Sequence, residues 1–177
     1  RPASPLLPPP FPSAMPRLLI VWWSMTGGTR QLAEALADGA REEPGTEVVS
    51  LRADQAHAAD VLAAQAFVFA TPENLASMAG MMKDFFDRTY YPVLGRVDGL
   101  PYATLVCAGT DGTGAARQIA RIATGWRLKE IAEPLIVVVG AQTPEQILAP
   151  KRIEPAQLER ARELGRALGT GLAMGIW

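Results

Sequence analysis

The sequence predicts an α/β three-layer sandwich, in which helices cover both faces of a five-stranded parallel sheet. Three observations predict it. From Arg17 onward short apolar runs alternate with helical patterns five times. The runs are continuously apolar, as strands covered on both faces must be, and connections of helix length imply right-handed crossovers. The third is size: 177 residues with 49% hydrophobic side chains suit one domain with a single substantial interior.

Each element has its own warrant. Leu18–Trp23 reads as a buried strand, and Thr29–Arg41 places Leu32, Ala33, Leu36, Ala37 and Ala40 on one helical face. Glu47–Leu51 is a shorter second strand, and Asp54–Ala64 is a weak helix. Ala66–Ala70 is the third strand. Met78–Tyr90 is a helix with Met81, Met82, Phe85, Phe86 and Thr89 mostly on one side. Tyr102–Ala108 is the fourth strand, and Thr113–Trp126 is a helix with Ala116, Ile119, Ala120, Ala123 and Trp126 inward. Leu135–Val139 is the fifth strand, and Ile153–Ala173 closes the fold as a helix carrying Leu158, Ala161, Leu164, Leu168 and Leu172.

Composition removes much chemistry. Seventeen basic against eighteen acidic side chains give a net charge of −1, which argues against a nucleic-acid binder or a polybasic membrane module. No run of about eighteen apolar residues proposes a membrane span. There is one cysteine, Cys107, and one histidine, His57, so neither a disulfide framework nor a Cys/His zinc site can form within the chain. His57 sits in a polar, Ala-rich stretch and reads as a surface residue. With side chains so poorly equipped for acid–base or metal work, a bound organic cofactor is the expected carrier of any chemistry. Nothing demands an oxidising compartment, and the expected location is cytoplasmic.

Residues 1–16 hold seven of the fifteen prolines and form a separate proline-rich N-terminal extension, distinct from the domain expected over 17–177. Leu6-Leu7 runs straight into proline, so this is not the apolar core of a signal peptide. Met15 offers a start for the folded portion, leaving residues 1–14 as either an upstream extension or a docking arm.

In such sheets ligands bind beyond the carboxyl ends of the strands, where strand order reverses. The loop after strand one is Ser24-Met25-Thr26-Gly27-Gly28-Thr29. It offers three hydroxyls, two glycines that let backbone approach a ligand, and amides at a helix N-terminus, a combination suited to phosphate. The Gly-Lys-Ser/Thr ending of a nucleotide-triphosphate loop is absent, and so is the Gly-x-Gly-x-x-Gly pattern. A monophosphate fits best.

Ser-x-Thr-Gly-x-Thr directly after the first of five strands resembles the FMN-phosphate loop of the flavodoxin superfamily. The resemblance continues after strand three, where Thr71-Pro72-Glu73-Asn74-Leu75 and a small-residue stretch to Gly80 precede Lys83, Phe85, Phe86 and Asp87. That arrangement is similar to the flavin-ring loop and following helix of NAD(P)H-dependent FMN and quinone reductases. After strand four, Gly109-Thr110-Asp111-Gly112 is the candidate third wall. The resemblance implies a flavodoxin-like fold with strand order 2-1-3-4-5, FMN as cofactor and NADH or NADPH as co-substrate. It also implies that Ser24, Met25, Thr26, Gly27, Gly28 and Thr29 hold the phosphate. Thr71, Pro72, Glu73, Asn74 and Leu75 then line the ring, and Gly109, Thr110, Asp111 and Gly112 flank it. Hydride is expected to pass from NAD(P)H through the flavin to a quinone or other small-molecule electron acceptor.

Two departures bear on function. Neither 72–80 nor 109–114 contains an aromatic residue, so one ring face is expected to stay open for nicotinamide or quinone. Electron-carrying flavodoxins are usually strongly acidic, and this chain is nearly neutral. Both favour a reductase over the alternative, a flavodoxin-type electron-transfer protein without its own substrate. The usual reductase asparagine is displaced to Asn74, with Leu75 after it. A signalling receiver needs an aspartate where this chain has Ala70-Thr71, and is disfavoured. Cys107 is expected to be a core thiol, and Trp22 and Trp23 to pack on the two faces of strand one. Met78, Met81, Met82, Phe85 and Phe86 should form a packed helix face whose surplus, continued by Tyr90 and Tyr91, is a candidate homodimer or tetramer interface. Arg117 and Arg121 are expected to be solvated, with a nucleotide phosphate as the alternative partner for one of them.

Overall fold

A computed structural model of the chain describes residues 15–177. The proline-rich stretch therefore lies, except for its last two residues, outside the described part. Along the chain run β1 (Arg17–Trp22), α1 (Gly28–Arg41), β2 (Glu47–Arg52), α2 (Ala58–Leu62), β3 (Ala66–Asn74), β4 (Ser77–Met78) and α3 (Gly80–Val93). Then follow β5 (Pro101–Ala108), α4 (Thr113–Gly125), β6 (Lys129–Glu130), β7 (Leu135–Val138), α5 (Pro144–Leu148) and α6 (Pro155–Ala173).

The apolar runs pair in parallel, in the order β2-β1-β3-β5 with β6 and β7 both on the far side of β5. This is the 2-1-3-4-5 order with its fifth strand in two pieces: β6 pairs Pro101 and Tyr102, and β7 pairs Leu105 through Ala108. Pro134, which has no amide to donate, stands between the pieces. Alternate residues of one strand serve opposite cores. Leu19 and Val21 of β1, with Phe67 and Phe69 of β3, face α3 and α4, whereas Leu18, Ile20 and Val68 face α1 and α6. That two-sided burial is why the strands read as unbroken apolar runs.

The first core is aromatic. Phe69 lies 5.0 Å from the Phe86 ring and 6.4 Å from Trp126, and the Trp126 indole N–H donates to the Tyr90 carbonyl at 3.0 Å. Met78, Met82, Phe85 and Phe86 are buried here, so they belong to this core and not to an exposed interface; Tyr91 remains exposed. The second core is built for close approach: Gly39 of α1 lies against the Arg162 carbonyl, and Gly165 of α6 against the Leu36 carbonyl. The two helices meet backbone to backbone because neither glycine carries a Cβ.

Element boundaries shift in physically readable ways. The weak helix contracts to Ala58–Leu62, entered with the His57 amide donating to the Asp60 carboxylate at 2.8 Å, so the lone histidine stands at a surface turn. The closing helix starts at Pro155, and Ile153 is a buried plug ahead of it. Three features were not expected: the β3–β4 hairpin, the two-residue β6, and α5, whose Thr143 side chain accepts from the Gln146 amide. Among the described residues no helix is long and apolar enough to cross a membrane.

The glycine contact gives a test whose sign opposes helix propensity. Alanine is favoured over glycine in a helix interior by about 1 kcal/mol, yet overpacking a core costs about 1–3 kcal/mol. Gly165→Ala should therefore lower stability in urea denaturation. Gly80→Ala, where an added Cβ meets nothing within 4 Å, should leave it unchanged or raise it.

Candidate functional site

A parallel sheet sends every strand's carboxyl end to one edge, and the loops after β1, β3 and β5 converge there around a cavity of about 600 Å³. That volume lies within the range of about 300–1,000 Å³ common to small-molecule sites. Among the described residues no aromatic side chain lines it.

Its floor is the start of α1. Gly27 precedes the helix with a φ of 93°, a left-handed conformation that glycine adopts without steric cost. The first helical bond runs from the Gln31 amide to the Gly27 carbonyl, so the amides of Gly28, Thr29 and Arg30 ahead of it are open, as at any helix start. The Ser24 hydroxyl accepts from the Gly27 amide at 3.0 Å, which leaves its proton free to donate. Thr29 lines the cavity and is 1% exposed, and its buried hydroxyl has no hydrogen-bond partner among the described residues. Buried hydroxyls are rarely left unpaired; the Thr104 hydroxyl inside β5 is unpaired as well, and what sets Thr29 apart is its place beside the open amides of α1. An anion satisfies these donors and the helix dipole together.

The start of α4 is built the same way and used differently. Gly112 precedes it with a φ of 96°. Here the protein supplies its own anion: the Glu73 carboxylate accepts from the Gly112 amide at 2.8 Å and from the Ala115 amide at 3.0 Å. Of two like helix N-termini at this edge, one is neutralised internally and the other is open.

The structure brings Ser24, Met25, Thr26, Gly28, Thr29, Pro72, Glu73, Asn74, Leu75, Gly109 and Thr110 around the cavity. Four expected residues are placed otherwise. Gly27 faces a neighbouring cleft. Thr71 is fully buried beneath the loop, where its hydroxyl accepts from the Ala79 amide at 3.0 Å. Asp111 turns away and accepts from the Thr113 hydroxyl at 2.8 Å, and the Gly112 amide is taken by Glu73. Glu73 lines the cavity while its carboxylate is held by the amides at the start of α4.

Asn74 and Ser77 pair as the last residues of an antiparallel hairpin, with Leu75 and Ala76 at its tip. Both tip residues have positive φ, 52° and 59°, an unusual state for side chains other than glycine or asparagine, and Leu75 is 99% exposed. Expected positions were also missed. Val139, Ala141, Ile147 and Lys151 reach the cavity from the segment after β7. The Lys151 amide donates to the Thr26 carbonyl at 2.8 Å, and its ammonium caps α5 through the carbonyls of Gln146, Ile147 and Ala149 at 2.6–2.9 Å. A lysine so far along the chain from Thr26 leaves no local signal of that contact.

Cys107 lies on the cavity wall at 7% exposure, and a Cβ on Gly28 would come within 2.7 Å of its sulfur. Burial pushes the thiol up to about 11, outweighing the opposite pull of Lys151. It is protonated at neutral pH and is no nucleophile. The tryptophans pack on the two faces of β1 as expected, Trp23 against the aromatic core and Trp22 against the other, and both are half-buried and border the neighbouring cleft. Among the described residues no group of three or more His, Cys, Asp and Glu could hold a metal.

The sequence profile of the NADPH-dependent FMN reductase family matches residues 19–140. The chain is 33% identical over 108 residues to a flavodoxin of Aquifex aeolicus, covering 60% of this chain and 56% of that protein. It is also 33% identical over 96 residues to an NAD(P)H dehydrogenase (quinone) of Geobacter sulfurreducens, covering 41% and 47%. It thus spans about half the length of the curated relatives it matches. In fold it resembles a flavodoxin from the domain Archaea, with a TM-score of 0.70 and 16% identity over 88% of this chain and 98% of that one.

Two measurements follow from this geometry. Glu73→Gln replaces a doubly accepting anion with a group that accepts at only one atom. Since hydrogen bonds to charged groups contribute about 1.5–3 kcal/mol, urea denaturation should show a loss of that order. An aromatic disulfide reagent at pH 7 should leave native Cys107 unlabelled and modify it fast only after denaturation.

Proposed function

Because the chain belongs to the NADPH-dependent FMN reductase family, we propose that it binds FMN at the loops after β1, β3 and β5. With it the chain moves reducing equivalents from NAD(P)H to a small acceptor, a quinone foremost. The observation that carries this reading is the buried, unpaired Thr29 hydroxyl beside the open start of α1. The donor set fits a phosphate monoester, since it has hydroxyls and amides but no lysine or metal ligand aimed at a triphosphate.

Each residue then has a part. Ser24, Thr26 and Thr29, with the amides of 28–30, hold the phosphate. Loops 72–75 and 109–110 orient the ring through backbone groups, which is preorganised electrostatic stabilisation and not acid–base catalysis. Bound FMN supplies a carbon-and-nitrogen ring system that takes up and releases hydride, chemistry that no side chain here offers. Glu73 keeps the two ring loops at a fixed separation through Gly112 and Ala115. With no aromatic side chain of the described residues on the wall, a ring face is clear for a nicotinamide or quinone to stack.

The second reading is a redox carrier that exchanges electrons with a partner and turns over no substrate of its own. The similarity to a flavodoxin favours it. Stopped-flow mixing of FMN-loaded protein with NADH and with NADPH separates the two. The reductase reading requires the flavin to bleach far faster than free FMN, because a donor carbon must be held about 3–3.5 Å from the ring. Bleaching no faster than free FMN with either nucleotide would leave the carrier.

The phosphate seat has its own test. Thr26→Ala and Thr29→Ala should each weaken FMN binding by about 1–2 kcal/mol, the scale of a hydrogen bond to a charged group. Unchanged affinity in both variants would remove the assignment.

A further inference from the structure

Ala76, at the tip of the β3–β4 hairpin, borders two spaces. One is the ring cavity, and the other is a groove of about 720 Å³ between the hairpin, the start of α3 and α4. Its opening is clear, since a Cβ added to Gly80 would meet nothing within 4 Å. Met78 and Ile122 give it an apolar patch, and Gln118 fixes the hairpin wall by accepting from the Met78 amide at 2.9 Å.

The side chains lining this groove carry charge of one sign. Lys83, Arg117 and Arg121 line it, and among the described residues no carboxylate does. Lys83 is already paired with Asp87, one turn along α3, at 2.6 Å. Arg117 and Arg121 are both exposed, and among the described residues neither has an ion pair. Their spacing puts two guanidinium groups one turn apart on α4, where like charges repel at a cost to the helix. An anion held between them removes that cost. The cleft on the far side of Ser24–Thr26 offers no such pair, because its Arg52 is taken by Asp54 through bonds of 3.1 and 2.8 Å.

We propose that the groove seats the adenosine 2′-phosphate end of NADPH, and so selects NADPH over NADH as electron donor. The proposal rests on the reading that the ring cavity holds a flavin. A nicotinamide stacked on the open ring face leaves by the cavity mouth, and the rest of the donor passes over Ala76 into the groove. There the 2′-phosphate meets Arg117 and Arg121, whose planar forks match phosphate oxygens, and the adenine lies against Met78 and Ile122. A seat for NADH calls for different chemistry. The ribose 2′-hydroxyl is held by an accepting carboxylate, whereas a 2′-phosphate is held by arginine. The groove has the arginines and lacks the carboxylate.

Isothermal titration with adenosine 2′,5′-bisphosphate and with 5′-AMP reads the groove without hydride transfer, in flavin-free as well as FMN-loaded protein. The bisphosphate should bind about tenfold more tightly than 5′-AMP, the scale of one charge-assisted contact. Arg117→Ala and Arg121→Ala should each remove most of that gain, and Arg121→Lys, which keeps the charge but not the fork, should retain part of it. In FMN-loaded protein the two alanine variants should raise KM for NADPH about tenfold and KM for NADH less than about threefold. Equal binding of the bisphosphate and 5′-AMP would overturn the proposal. So would variants that raise KM for both donors alike, since the arginines would then meet the diphosphate that both donors share. Failure of FMN to bind would be a different result: it would overturn the ring-site reading, while titration of the flavin-free protein would still decide whether the groove takes a 2′-phosphate.

Discussion

The arrangement depends on one carboxylate. In a parallel sheet every helix after a strand starts at the same edge, so α1 and α4 bring two positive helix ends to one place. Left alone, both would compete for a bound anion. Glu73, placed by the last residues of β3, accepts from the Gly112 and Ala115 amides and satisfies one end with a charge that is part of the chain. The anion-binding capacity of this edge is thereby concentrated on α1. The same two bonds join the loop after β3 to the loop after β5, so the walls of the cavity are held at fixed separation by the interaction that leaves the start of α1 as its open helix end.

That bracing bears on the strained hairpin beside it. Leu75 and Ala76 both occupy the left-handed region, which costs residues with a Cβ roughly 1–2 kcal/mol each. The turn persists because it is overdetermined. Glu73 and Asn74 pair with Met78 and Ser77, Thr71 accepts from the Ala79 amide, and Gln118 of α4 accepts from the Met78 amide at 2.9 Å. Gly114 lies against the Ala76 carbonyl, so no side chain at the start of α4 pushes the tip outward. Three elements thus hold a tip whose Leu75 side chain projects fully into solvent at the cavity mouth. Backbone strain of this kind concentrates at binding and catalytic sites, and here it lies at the edge of the proposed ring site.

The architecture was legible because its cause is local. Leu18–Trp23, Ala66–Ala70 and Tyr102–Ala108 are apolar on both faces, and only a covered parallel strand needs that. The glycine pair after the first strand was legible for the same reason: the backbone must turn there at positive φ. What escaped depends on distance along the chain. Nothing near Glu73 signals that its carboxylate will reach Gly112, and nothing near Lys151 signals Thr26. The hairpin escaped because its tip is Leu-Ala where the turn chemistry favours Asn-Gly. α5 carried a readable sign in Thr143-Pro144-Glu145-Gln146, a capping box with proline at the first helical position, but five residues give no periodicity to support it.

The site's chemistry and the chain's composition have one explanation. Cys107 is the only thiol, and burial keeps it protonated; His57 is the only imidazole, and it stands at the start of a surface helix. The carboxylate nearest the cavity is committed to backbone amides. No group at this edge is left free to exchange protons with a substrate, and the donors that remain open are hydroxyls and amides whose charge state does not change with pH in the physiological range. A site of that kind can bind and orient but cannot itself react. On the proposed reading its reactivity comes with the ligand, and its selectivity lies in the shape of the walls and in the open amides at the start of α1.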